Sequence, residues 1–180
     1  MTNGNTGTII GNKKRGFCFR MREKIIRESL ESIRREGLRF SVDTLAEKLR
    51  VSKKTIYRYF PDKEALATAM YQTYYAEILA QARQLAANTP PDFPALLRLY
   101  LDSKNMSRSG IFNKYKLNDV IYAYVSAQND ALWNTISAPF GCEAGEQGEA
   151  LRLIVDGSFE KLCGSQVDPE AVIERLVKLL

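Results

Sequence analysis

Between residues 52 and 63 stand the groups whose types and spacing could do chemistry: Ser52, Lys53, Lys54, Thr55, Tyr57, Arg58, Tyr59 and Lys63. Cations and hydroxyls crowded onto the first turns of a short helix suit the major groove of DNA. The basic groups neutralise phosphates, and the hydroxyls of Thr55 and Tyr57 can bond phosphate oxygens or base edges. The same residues would also serve as the solvated face of an ordinary helical domain, and charge alone favours that reading. The two-helix pattern around them, with small Ala46 where the helices must pack closely, favours nucleic-acid contact.

Other chemistries find little support. The 180-residue chain contains no histidine, which removes the commonest general base and metal ligand. Serine–histidine and cysteine–histidine nucleophile pairs are thereby excluded. Cys18, Cys142 and Cys163 are odd in number, far apart and without metal-ligand spacing. They predict free thiols in a reducing cytoplasm. Glu143, Glu146 and Glu149 could imitate a carboxylate site, but they lie in or beside a glycine-rich stretch and read as solvated. There is no phosphate-cradling loop. The expectation is a protein that is not an enzyme and needs no metal or cofactor.

The residues that must position the basic group run from Ser41 to Phe60. Val42, Leu45, Ala46 and Leu49 recur at helical spacing and predict one apolar stripe. Ser41 can cap that helix, and Asp43 lies in its first turn, where a negative charge suits the helix dipole. Arg50-Val51 fills a turn. Ser52 caps a second helix, with Thr55 or Ile56 and then Tyr59 or Phe60 inward, and Pro61 stops it.

The segment VSKKTIYRYFPDKEAL resembles the helix-turn-helix and following helix of the TetR (tetracycline-repressor-like) family of transcription regulators. Val51-Ser52-Lys53, Thr55, Tyr57, Tyr59-Phe60 and Lys63-Glu64 match its usual pattern. The resemblance in specific residues covers about Glu23 to Leu66; beyond that it is one of architecture. Arg50 and Lys54 stand where the family often has glycine. If position 50 needs positive φ, Arg50 carries about 1 kcal/mol of strain. The resemblance implies DNA contacts from Ser41, Ser52, Lys53, Lys54, Thr55, Tyr57, Arg58, Tyr59 and Lys63, with Tyr57, Tyr59 and Lys63 anchoring to phosphate. It also implies a dimer on a palindromic operator.

Charge is uneven along the chain. Residues 1–64 hold 16 Lys+Arg against 8 Asp+Glu, a net +8, whereas residues 65–180 hold 10 against 13, a net −3. A basic head on a body that does not touch DNA fits this asymmetry. Residues 1–20 are rich in Gly, Asn and Thr and read as a disordered basic arm. Lys13, Lys14, Arg15 and Arg20 could reach phosphates or a minor groove; the plainer reading is an unstructured leader, or Met21 as the natural start. Residues 21–62 read as a three-helix head. Its first helix, Met21 to Glu36, carries Ile25, Ile26, Leu30 and Ile33 and ends at Gly37; Leu38 and Phe40 pack back onto it.

Residues 63–180 read as an all-α regulatory and dimerisation body, with no strand pattern and no transmembrane run. A long helix from Lys63 to Ala87 leads out of the head, so it could act as a lever. Helices are then expected over Pro94–Lys104, Asn113–Ile136, Glu149–Leu162 and Pro169–Leu180, with Pro139–Gly148 as a connector. Leu117, Val120, Ile121, Tyr124, Ala131 and Leu132 are expected inside. So are Leu151, Ile154, Val155 and Phe159, then Val172, Ile173, Leu176, Val177 and Leu180. Tyr71, Tyr74, Tyr75, Tyr100, Tyr122 and Trp133 are candidates to line an organic-ligand pocket, or else ordinary core. Leu153, Gly157, Leu162 and Val177 are candidates for a homodimer interface. The expected function is a dimeric repressor released from its operator by a small organic ligand. The alternative is a DNA-binding protein of the same fold controlled by a protein partner.

Overall fold

The computed structural model describes residues 7–36, 41–108, 119–142, 145–162 and 166–178, with side chains of the first helix described from Phe19. Among them are eight α-helices: α1 Gly7–Glu36, α2 Val42–Leu49, α3 Lys53–Tyr59, α4 Lys63–Ala86, α5 Phe93–Arg108, α6 Asp119–Ser137, α7 Gly145–Leu162 and α8 Pro169–Val177. A short 3-10 turn, Ala138–Phe140, follows α6. The all-α expectation holds.

The chain divides into two compact units, Met1–Thr73 and Tyr74–Leu180. The division falls inside α4 rather than at residue 62. Leu66, Ala67 and Met70 on the first turns of α4 are buried and complete the first unit's core. That core also holds Ile25, Ile26, Leu30 and Ile33 from α1, Val42, Leu45, Ala46 and Leu49 from α2, and Ile56 and Phe60. Each buried Val, Leu, Ile, Met or Phe side chain among them contributes about 1.5–3 kcal/mol through burial. A polar tie joins α2 to α1, where Lys48 Nζ donates to the buried Ser32 Oγ at 3.1 Å.

In place of a disordered arm up to residue 20, α1 is helical from Gly7. No proline interrupts residues 7–20, and adding turns to a helix already nucleated by packing is far easier than starting one. Arg20 is exposed; residues 1–6 and the side chains of Lys13, Lys14 and Arg15 lie outside the described residues. Gly37, Leu38 and Phe40 lie outside them as well.

In the second unit α5 packs on α6 and on α8, and α7 packs on α8. The core is Tyr74, Tyr75, Ile78 and Leu79 of α4, Leu96, Leu97 and Tyr100 of α5, Leu132, Trp133 and Ile136 of α6, Val155 and Phe159 of α7, and Ile173 and Leu176 of α8. Arg98 on α5 holds the Glu170 carboxylate of α8 through Nε at 2.8 and 2.9 Å. Arg152 on α7 reaches Asp130 on α6.

Two inward assignments are corrected: Val120 is 74% exposed and Ile154 54%, while Leu153, a candidate for the dimer interface, is 65% exposed. The buried register is Ile121, Val125, Leu132 and Ile136 on α6 and Leu151, Val155 and Phe159 on α7. A helix with adjacent apolar residues can bury only those within one face. Tyr124 and Ala131 are half-buried, as are Val172 and Val177; Leu117 and Leu180 lie outside the described residues. The connector is shorter than expected, because α7 begins at Gly145 and takes in Gly148. α5 runs on to Arg108 and α6 is described from Asp119.

Candidate nucleic-acid interface

Two serine caps set the pair α2–α3. Ser41 Oγ accepts the Thr44 N–H at 3.1 Å, and Ser52 Oγ accepts the Thr55 N–H at the same distance. In both, the serine hydroxyl also meets the threonine hydroxyl, at 2.8 Å for Ser41–Thr44 and 3.0 Å for Ser52–Thr55. Each cap satisfies a backbone donor that the helix leaves orphaned, and its loss costs about 1 kcal/mol. A hydroxyl carries one hydrogen, so each serine–threonine pair uses one O–H and leaves the other to donate outward. At the exposed Ser52 this leaves a donor suited to a phosphate oxygen.

Between the helices, Arg50 adopts the left-handed conformation, φ 54° and ψ 44°. The Arg50 N–H donates to Glu47 O and the Val51 N–H to Ala46 O, both at 3.0 Å. These two bonds close α2 and reverse the chain towards Ser52. The strain expected at position 50 is therefore present.

Ile56 and Phe60 anchor α3 inward, and this decides what faces out. Ser52, Lys53, Lys54, Tyr57 and Arg58 are exposed, while Thr55 and Tyr59 are half-buried. Arg58 lies over the Tyr59 ring at 5.4 Å, a cation–π contact that aligns it along the helix surface. On α1, Arg22 lies over the Phe60 ring at 5.1 Å. Asp62 Oδ1 accepts the Ala65 N–H at 2.7 Å and so caps α4, leaving Lys63 exposed at its first position. Ser41 is half-buried with its hydroxyl engaged in the cap, at the edge of this surface.

Residues 25–70 match the family described as bacterial regulatory proteins, tetR family. This chain carries the tetR-family helix-turn-helix domain. Its tetR-family head is similar to two uncharacterized HTH-type transcriptional regulators of Mycobacterium tuberculosis, from strains CDC 1551 / Oshkosh and H37Rv. Each is 36% identical over 66 residues, which is 36% of this chain and 28% of the relative. It is also similar to the uncharacterized HTH-type transcriptional regulator YvaF of Bacillus subtilis, 31% identical over 68 residues, 38% of this chain and 36% of that protein. The chain thus spans about a third of the length of these relatives or less. No solved structure matches it.

The other candidate residues fall in different places. Tyr71 is buried in the first unit, one residue past the family match. In the second unit Tyr74, Tyr75, Tyr100 and Trp133 are buried, whereas Tyr122 is 71% exposed and is removed from the pocket candidates. Tyr122 lies one residue past the buried Ile121, on the outer side of α6. The Tyr75 hydroxyl donates to Asn129 Oδ1 at 2.9 Å, and the ring of Tyr100 meets Trp133 edge-on at 5.0 Å. Gly157 is exposed, and among the described residues a Cβ there would meet nothing within 4 Å, so no described helix approaches closely at this position. The Leu162 side chain lies outside the described residues.

Sequence reasoning missed a partly buried charge cluster in the second unit. Asp156 on α7 accepts from Tyr100 at 3.0 Å and from Lys104 Nζ at 2.9 Å, with Arg152 Nε at 4.0 Å. The spacing of Arg152 and Asp156, one helical turn apart, was a signal for half of it. It also missed the ion pair between Lys53 of α3 and Asp43 of α2, which no periodicity announces. Among the described residues no helix is long and apolar enough to cross a membrane.

Proposed function

We propose that the protein is a cytoplasmic, dimeric DNA-binding transcriptional regulator, acting as a repressor that a small organic ligand releases from a palindromic operator. The observation that carries the DNA-binding reading is the row Ser52, Lys53, Lys54, Tyr57 and Arg58, exposed on a helix whose opposite side is anchored by Ile56 and Phe60. Lys53, Lys54, Arg58 and Lys63 would neutralise phosphates, and Tyr57, Tyr59 and the hydroxyls of Ser52 and Thr55 would fix the register. The names of the similar regulators support the same reading. Dimerisation would use the outer side of α7, where Leu153, Ile154 and Gly157 are exposed, together with Leu162 and Val177.

A second reading, control by a protein partner without a small-molecule pocket, is favoured by one observation. The hydroxyls of Tyr75 and Tyr100 are engaged by Asn129 and Asp156, as in a satisfied core. Selection of bound duplexes from random DNA tests the shared part of both readings. A palindrome with half-sites about 34–36 Å apart is expected. Failure to enrich any sequence would overturn the regulator reading.

A further inference from the structure

We propose that Asp43 acts as a brake on sequence-independent DNA binding by competing with phosphate for the Lys53 ammonium. This rests on the DNA-binding reading above. Asp43 stands in the first turn of α2 and Lys53 is the first residue of α3, and their side chains form an ion pair across the turn. Both partners are more than half exposed, at 61% and 54% of their side-chain surface. A pair this open to water locks nothing; exposed pairs contribute at most about a fivefold change in an equilibrium. It is instead a competitor of matching strength for a phosphate that approaches Lys53.

Two consequences follow when DNA arrives. The phosphate must first displace the carboxylate from the Lys53 ammonium. The released carboxylate then remains beside the α3 N-terminus and repels the same backbone. Neither cost depends on base sequence, because every duplex presents phosphates. Asp43 therefore lowers affinity on all DNA alike. Asp43 lies on α2 and its ion pair is with the first residue of α3, so the substitution leaves the side chains of Thr55, Tyr57 and Arg58 in place. Asp43 is a positioning residue for Lys53. The carboxylate also suits the start of α2, so the test must separate charge from helix stability.

The test is binding of Asp43→Asn to a random-sequence duplex, followed by fluorescence anisotropy at about 50 to 200 mM salt. About fivefold tighter binding at the lowest salt is expected, with the gain shrinking as salt rises and screens the carboxylate. In a Lys53→Met background the same substitution should give a clearly smaller gain, because only the repulsion of the backbone is then relieved. Unchanged affinity would overturn the proposal. So would an equal gain in the Lys53→Met background, which would mean that Asp43 meets DNA directly. Asp43→Ser, also suited to a first turn, repeats the measurement if Asp43→Asn melts early. A heparin column separates the two readings. If the wild type binds no duplex, the regulator reading fails, yet Asp43→Asn should still elute from heparin at higher salt. Elution at the same salt would sink the brake itself.

Discussion

The hydroxyl of Tyr100 on α5 donates to Asp156 Oδ1 on α7 at 3.0 Å. Lys104 holds the other carboxylate oxygen at 2.9 Å and lies over the Tyr100 ring at 5.2 Å. One carboxylate thus joins two helices that are far apart in the chain. Burial, and then the negative charge of Asp156, push the Tyr100 phenol well above its ordinary value of 10.0. Below about pH 10 the phenol is neutral in both the folded and unfolded chain. Above it the unfolded chain ionises first, so this contribution to stability is lost as pH rises towards the folded value. Tyr100→Phe should lower stability near neutrality by about 1–2 kcal/mol. It should also remove a late-ionising tyrosine from an ultraviolet titration. A titration curve unchanged by the substitution would refute the assignment.

Acid acts on a different pair. Arg98 holds the Glu170 carboxyl below its ordinary value through their hydrogen bonds. A depressed carboxylate contributes stability above its unfolded value, and that contribution is lost as pH falls through the folded one. The melting temperature of the wild type should therefore fall more steeply below about pH 4.5 than that of Glu170→Gln. Parallel curves for the two proteins would show that the pair contributes nothing.

Arg50→Gly should stabilise the head by up to about 1 kcal/mol, since a left-handed residue costs that much when it carries a Cβ. The effect is read as a higher denaturant midpoint with an unchanged slope. Destabilisation would mean that the Arg50 side chain contributes more than the strain costs.

Leu153→Glu places a charge on an exposed side of α7. The helical content and melting cooperativity should be kept, while sedimentation shows a monomer that has lost specific DNA binding. Val177 is half-buried, so Val177→Glu should also lower stability. Persistence of a dimer in both variants would place the interface elsewhere.

Lys63→Ala should weaken binding alike on specific and random DNA and reduce the salt slope by about 0.9, the signature of one lost phosphate contact. A loss confined to the specific site would make Lys63 a base-reading residue instead.

The head was legible from the sequence because its determinants are local. Ser41 and Ser52 cap the residues that follow them, Val42, Leu45, Ala46 and Leu49 form one stripe, and Arg50 sits where the chain must reverse. Each depends on neighbours within about one helical turn, and such rules can be read along a chain. The outward row of α3 follows from the burial of Ile56 and Phe60. Tertiary structure alone decided which side of a doubly apolar helix is inside. Leu151 and Val155 are buried while Leu153 and Ile154 are exposed, because α8 and the remaining core can cover only one side of α7. It also decided the long-range polar partners. Asn129 with Tyr75, Asp156 with Tyr100 and Lys104, and Asp43 with Lys53 join residues that no local period relates. Hydrophobic and capping preferences act over a few residues, whereas these contacts exist only once the helices have packed and brought distant side chains together.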